Sequence, residues 1–255
     1  MNAPEPAEPI MLVFHQLLRG LTFTSTNYPP RRFEQLLRWL AEGGVFSARR
    51  GRGSAVVLSF DDGYRHLVNV LPPLMEQFNF RPHIFVPTAY IGGFNRWDYS
   101  YHLRRIAHLD RSSIRRLVGL GAVLGSHGHT HCELTGLSDS RLATELQWSR
   151  ATLEDLSGQS VDSVSYPFGR FDKRVIAAAK EAGYKLGYTM RFPRPGGSAL
   201  ARGRVAIYCY DTPFSVLCKL SDSPLRNIER FKAEAANRLS GGTIWLQRLW
   251  GRHRG

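Results

Sequence analysis

Short apolar runs alternate along this chain with segments whose hydrophobic residues recur at helical spacing, and several runs stop abruptly at polar or glycine-bearing clusters. This alternation restricts the chain to βα units around a parallel sheet. A strand buried on both faces is apolar throughout, whereas a helix covering the sheet needs one apolar stripe. Met11 to Phe14 is the first run, and Phe33, Leu36, Leu37 and Leu40 then recur at helical spacing and stop at Gly43-Gly44. Ala55 to Phe60 predicts the next strand. Pro72 and Pro73 fit the first turn of a helix carrying Leu74 and Phe78, before His83 to Val86 returns as a strand. A helix near Asp110 to Val118 and a strand Ala122 to Leu124 follow. A longer helix starts near Ser138 as N-cap, Val161 to Tyr166 reads as a strand, Asp172 caps a further helix, and Lys185 to Thr189 is another strand. Six or seven such units predict an α/β barrel with its active groups at the carboxyl ends of the strands.

Two of those ends carry chemistry. The run ending at Phe60 is followed by Asp61-Asp62-Gly63, and the run Ala122 to Gly125 by Ser126-His127-Gly128-His129-Thr130-His131. Asp-Asp-Gly alone is an ordinary way to leave a strand through a turn. Three of nine histidines within five residues change that reading. Imidazole is the commonest nitrogen ligand for zinc, and the four-residue spacing of His127 and His131 brings two rings onto one side of a helical turn. With Asp62 they make three protein ligands, the count of a hydrolytic metal site that keeps a position open for water. His129 is expected to point elsewhere.

A chain of 255 residues with 43% hydrophobic content can form one sizeable domain. Residues 1–9 read as a disordered tail without the features of a signal peptide, and no run reaches the roughly 18 apolar residues of a membrane span. Three cysteines, Cys132, Cys209 and Cys218, fit a reducing compartment, so a cytoplasmic location is expected. The formal charge of +13 favours anionic partners. From residue 213 to 255 the chain reads as a basic, helical extension. Trp245 and Trp250, flanked by Arg248, Arg252 and Arg254, fit either peripheral contact with a membrane interface or a solvated basic tail. No nucleic-acid motif accompanies the charge, and no nucleic-acid partner is expected.

Tyr166-Pro167-Phe168-Gly169 is a third candidate strand end, and with the first two clusters it completes a likeness. The chain resembles the polysaccharide deacetylases of carbohydrate esterase family 4, the NodB-like domains. Three ordered motifs carry the resemblance: Ser59-Phe60-Asp61-Asp62-Gly63, His127-Gly128-His129-Thr130-His131, and Ser165-Tyr166-Pro167-Phe168-Gly169. The resemblance spans residues 10 to 212 and implies a single NodB-like domain folded as an irregular (β/α)7-type barrel.

It also implies roles. Asp61 is the general base; Asp62, His127 and His131 hold Zn2+ or another divalent transition metal; and the Phe168 backbone N–H helps bind the oxyanion. Tyr166, Pro167, Trp97 and Arg204 are candidate substrate contacts, Arg204 having also the reading of a contact to the catalytic end. The implied substrate is an N-acetylated amino sugar in a polysaccharide or a lipid-linked glycan, and acetate is the product. There are departures. Gly128 replaces a hydroxyl residue, Ser165 stands where many members place an arginine that orients the catalytic aspartate, and the late Leu-x-His motif that supplies a general acid is missing. His15, after the first strand, is the candidate acid. Two alternatives remain open from the sequence: an impaired NodB-like glycan-binding or scaffold protein, and an amidohydrolase acting on a non-sugar amide.

Overall fold

The computed structural model describes residues 9–20, 24–42, 56–95, 105–194, 196–221 and 224–239. Trp97 and the C-terminal Trp245 and Trp250 lie outside the described residues.

Seven strands form one parallel sheet: β1 (Ile10–Phe14), β2 (Val56–Phe60), β3 (His83–Val86), β4 (Val123–Ser126), β5 (Ser163–Ser165), β6 (Leu186–Tyr188) and β7 (Val205–Ala206). Their order across the sheet is β6-β5-β4-β3-β2-β1-β7. The sheet curls on itself, and the chain from 202 to 206 joins its two margins. The backbone of Arg202 donates to the Gly187 carbonyl and accepts from Thr189 N–H, each at 2.8 Å, whereas Val205 and Ala206 pair with Leu12 and Val13 of β1. Arg204 therefore lies at the seam between first and last strands.

Helices α1 (Pro30–Glu42), α2 (Leu67–Phe78), α3 (Arg111–Gly119), α4 (Asp139–Ser157) and α5 (Lys173–Glu181) cover the outside. Each turns an apolar stripe inward, such as Phe33, Leu36, Leu37 and Leu40 of α1, all fully buried. Asp110, Ser138 and Asp172 cap α3, α4 and α5 by accepting from the backbone N–H three residues on. One boundary differs from the sequence expectation. The helix expected to open at Pro72 begins at Leu67, so both prolines lie inside it. An interior proline costs a helix about 3 kcal/mol, yet burial of Leu67, Val68 and Leu71 on the sheet recovers on the order of 1.5–3 kcal/mol for each side chain. After β7 the chain adds α6 (Pro213–Leu220) and α7 (Leu225–Leu239), anchored through Val216, Lys219 and Ala233. None of the described helices is long and apolar enough to cross a membrane.

The barrel interior is filled rather than open. Phe85 occupies its middle with Met11 and Tyr188, and its ring leaves no space at Gly125 on β4. A Cβ there would lie 2.5 Å from two Phe85 ring carbons and 2.9 Å from Ser163 Oγ. Gly125→Ala is therefore expected to destabilise the protein by about 1–3 kcal/mol in denaturant unfolding, and adding Phe85→Leu to recover part of the loss.

Candidate active site

Apart from Trp97, His15 and Arg204, the candidate residues belong to three loops that leave β2, β4 and β5 at the carboxyl end of the barrel. At β2 the chain passes straight from the strand into Asp61 and Asp62, Asp61 N–H donating to the Phe14 carbonyl at 2.9 Å. Asp62 then adopts a left-handed conformation, φ 68°. Alternation along the strand separates the two side chains. Asp61 turns down into the barrel and Asp62 toward the histidines.

Arg204 reaches Asp61 from the seam. Its Nη1 donates to Asp61 Oδ1 at 2.8 Å and its Nη2 to Asp61 Oδ2 at 2.7 Å, a bidentate pair with both side chains buried. The remaining donors are also engaged: Nη2 on Ser165 Oγ at 2.7 Å, Nη1 on Ser59 Oγ and Nε on the Thr189 carbonyl, each at 3.4 Å. The guanidinium lies against the Phe85 ring, 5.3 Å from its centroid. The expectation that Arg204 contacts the substrate is corrected by this placement, because the side chain is 1% exposed and its donors are committed beneath Asp61. The expectation of a contact to the catalytic end describes it. Ser165, in place of the family's arginine, donates to Asp61 Oδ2 at 3.1 Å and leaves room for the guanidinium arriving from β7.

The two histidines follow β4, but not on a helical turn as their spacing suggested. The chain from His127 to His131 is a loop, with Gly128 at φ 76° and His131 at φ 54°. A buried carboxylate shapes it. Glu145 of α4 accepts from the N–H groups of His129 and Thr130, each at 2.8 Å, and from Thr130 Oγ1 at 2.5 Å. His129 faces away from its neighbours: its Nδ1 meets Thr88 Oγ1 at 2.8 Å and its ring packs on Trp148. Gly128 suits a positive φ that a serine or threonine would adopt only with strain.

His127 Nδ1 donates to the Ser165 carbonyl at 2.7 Å, which leaves Nε2 as the lone-pair nitrogen. Burial pushes the His127 imidazolium pKa down to about 4, against the pull of Asp61, so the ring is neutral near pH 7. Its Nε2 lies 3.2 Å from His131 Nε2 and 3.5 Å from Asp62 Oδ1, and His131 Nε2 lies 3.2 Å from that same oxygen. Asp62 Oδ1 is buried and accepts no aligned hydrogen bond. One carboxylate oxygen and two imidazole nitrogens thus converge within 4.8 Å of one another, a donor set that fits a divalent transition ion with further positions for water or substrate. Asp61 Oδ2 lies 3.9 Å from His127 Nε2, beside the triad.

Both carboxyls are strongly perturbed. Burial alone would raise Asp61, but the Arg204 guanidinium, with smaller help from His127, holds it down at about 2. For Asp62, burial is likewise outweighed by the neighbouring imidazoles, and its pKa is lowered. His15, at the end of β1, adds to the field on both aspartates.

A residue outside every motif also holds the site. His108, 1% exposed, donates through Nδ1 to the Asp62 carbonyl at 2.7 Å, its ring stacked on Tyr64. The segment carrying it bonds the same turn twice more, Leu109 N–H to the Gly63 carbonyl and Arg65 N–H to the Ala107 carbonyl, each at 2.8 Å. Among the third motif's residues, Tyr166 is 1% exposed, donates its hydroxyl to the Leu200 carbonyl at 2.8 Å and stacks on Phe171. Its side chain and that of buried Pro167 serve packing, which corrects the expectation that they contact substrate. Phe168 sits at φ 57° with its ring against His131, 4.9 Å between centroids.

Comparison with known proteins decides the family. Residues 48–187 match the family model for polysaccharide deacetylases, more than half of the chain. The chain belongs to the polysaccharide deacetylase family. It is by that membership a hydrolase of acetylated glycans. Among curated proteins it is similar to YxkH of Bacillus subtilis, 24% identical over 220 residues, or 82% of this chain and 72% of that protein. Among solved structures, the deacetylase PplD of Streptococcus pyogenes in complex with acetate has a TM-score of 0.71 at 19% identity, covering 85% of this chain and 99% of that one. IcaB from Ammonifex degensii has a TM-score of 0.67 at 19% identity, covering 90% and 97%. These likenesses establish the shared fold.

Two outcomes follow from the geometry. Glu145→Gln replaces one of the acceptors in the His127–His131 loop by a donor, so divalent-metal affinity is expected to fall about 10–100-fold in a chelator-competition titration. The second concerns pH. The Asp61 carboxyl titrates in the folded state near 2, below its ordinary value of about 3.9, so its contribution to stability is complete above pH ~4 and is lost as pH falls toward 2. Removing the guanidinium leaves burial opposed only by the smaller pull of His127 and His15. In Arg204→Met the NMR titration of the Asp61 carboxyl carbon should move above pH 4, with a loss of about 3–5 kcal/mol at neutral pH.

Proposed function

We propose that this chain is a metal-dependent deacetylase that removes the N-acetyl group of an amino sugar, in a polysaccharide or a lipid-linked glycan, and releases acetate. The observation that carries this reading is the convergence of Asp62, His127 and His131 beside an Asp61 carboxylate held ionised and fixed in direction by Arg204. A divalent cation held by the triad would supply Lewis acidity to the scissile carbonyl and to water.

The chain's own residues do the rest. Asp61 accepts the proton of the attacking water. Its pairing with Arg204 makes it a weak base, so its task is to receive a proton from water that is already acidified, at a fixed position. The Phe168 N–H, presented by the left-handed turn after β5, would donate to the developing oxyanion. His15 follows β1, the parallel neighbour of β2, at the same end as Asp61, with its Nδ1 buried and without a hydrogen-bond partner, and we assign it to protonate the departing sugar amine. Zinc suits two imidazoles and one carboxylate, as do cobalt, nickel and iron, with metal availability deciding among them.

Acetate release from N-acetylhexosamine oligomers by the metal-loaded protein is the test. Asp61→Ala should lower the rate about 10²–10⁴-fold with metal content unchanged, whereas His127→Ala should abolish both metal binding and acetate release. A loaded protein that binds these oligomers yet frees no acetate would instead be the glycan-binding or scaffold protein, and release from small non-sugar amides alone would make it the amidohydrolase.

A further inference from the structure

The α6–α7 hairpin presents apolar side chains outward. Six of the ten large hydrophobic residues exposed among the described residues fall between Tyr210 and Phe231: Tyr210, Phe214, Leu217, Leu225, Ile228 and Phe231. The other four are spread over separate elements. Phe214 and Leu217 are three residues apart on α6, and Leu225, Ile228 and Phe231 repeat at the same interval on α7, so each set lies along one face of its helix. The inward faces are accounted for. Val216 and Lys219 of α6 are buried, Lys219 donating to the Ala206 carbonyl at 2.9 Å and to Asp211, while Ser215 Oγ donates to Glu229 of α7 at 2.7 Å. Phe214 and Phe231 remain 64% and 70% exposed, although a monomer gains nothing from holding phenylalanines in water.

We propose that the outer face of α6 and α7 is a docking surface for an anionic lipid bilayer. Charge selects this occupant. Arg230 and Lys232 stand half-exposed on α7, each beside a glutamate of the same helix, Glu234 at 3.8 Å and Glu229 at 2.7 Å, so the charge that draws the protein to an anionic surface is that of the chain as a whole, +13. A second copy would bring +13 against +13, whereas an anionic bilayer offers the opposite sign together with an apolar layer for the phenylalanines. Glycans supply no comparable apolar surface. The hairpin follows β7 after residues 207–212 and packs through Ala233 against Val13 and Ala206, near the carboxyl ends of β1 and β7, the end of the barrel that bears the site. Docking there would hold the barrel's catalytic end near lipid-attached substrate. The inference does not depend on the metal or on deacetylation.

The experiment is vesicle co-sedimentation of the full chain, using phosphatidylcholine vesicles with and without phosphatidylglycerol, alongside the double variant Phe214→Gln/Phe231→Gln. The proposal expects retention on the anionic vesicles, weak retention on phosphatidylcholine alone, and at least a tenfold weaker partition for the double variant. Its thermal midpoint and its acetate release from soluble oligomers should stay unchanged. No retention on anionic vesicles would overturn the proposal. Undiminished retention of the double variant would do so too, assigning binding to charge alone. A wild-type dimer in light scattering that the double variant converts to monomer would assign the face to a second copy instead.

Discussion

The buried pair between Arg204 and Asp61 organises the centre of this protein. A guanidinium in a barrel interior is tolerable only if its donors are met, and here a carboxylate, two serine hydroxyls and a backbone carbonyl meet them while an aromatic ring supports its plane. The partners come from β2, β5, the end of β6 and the seam before β7. The pair therefore ties the barrel closed with the same bonds that aim the proposed base. Closure and chemistry share one interaction.

Around it, the backbone is bent where the chemistry lies. Of the four non-glycine residues with positive φ among the described residues, Asp62, His131 and Phe168 belong to the site. Such conformations cost of order 1–3 kcal/mol each and persist when the surroundings over-determine them. His108 holds the carbonyl of Asp62, Glu145 holds the loop before His131, and a 3-10 turn opened by buried Pro167 carries Phe168. Two polar groups outside the motifs thus maintain the two turns from which the proposed metal ligands project.

The parts legible in the sequence were those whose signal is local. Apolar runs with helical segments between them predicted the parallel barrel, and clusters next to runs marked Asp61, Asp62, His127 and His131. Arg204 was only half legible. It stands 143 residues from Asp61 and, in the sequence, an arginine before a short apolar run is indistinguishable from a strand-edge residue. Ser165 was the available clue, since a small residue in an arginine's place implies a guanidinium from elsewhere. Glu145 reads as a polar helix position and His108 as a loop histidine; their partners are backbone groups, which leave no pattern of residue types. The prolines of α2 misled for the converse reason, because local propensity yielded to burial of the helix on the sheet.

A crystal structure of the protein loaded with zinc or cobalt, with anomalous scattering recorded at the metal edge, would show whether the triad holds the ion. One strong peak is expected, bound by Asp62, His127 Nε2 and His131, with Asp61 still paired to Arg204 beside it. A peak elsewhere, a coordination shell lacking either histidine, or Asp61 drawn away from Arg204 into the metal's shell would contradict that assignment.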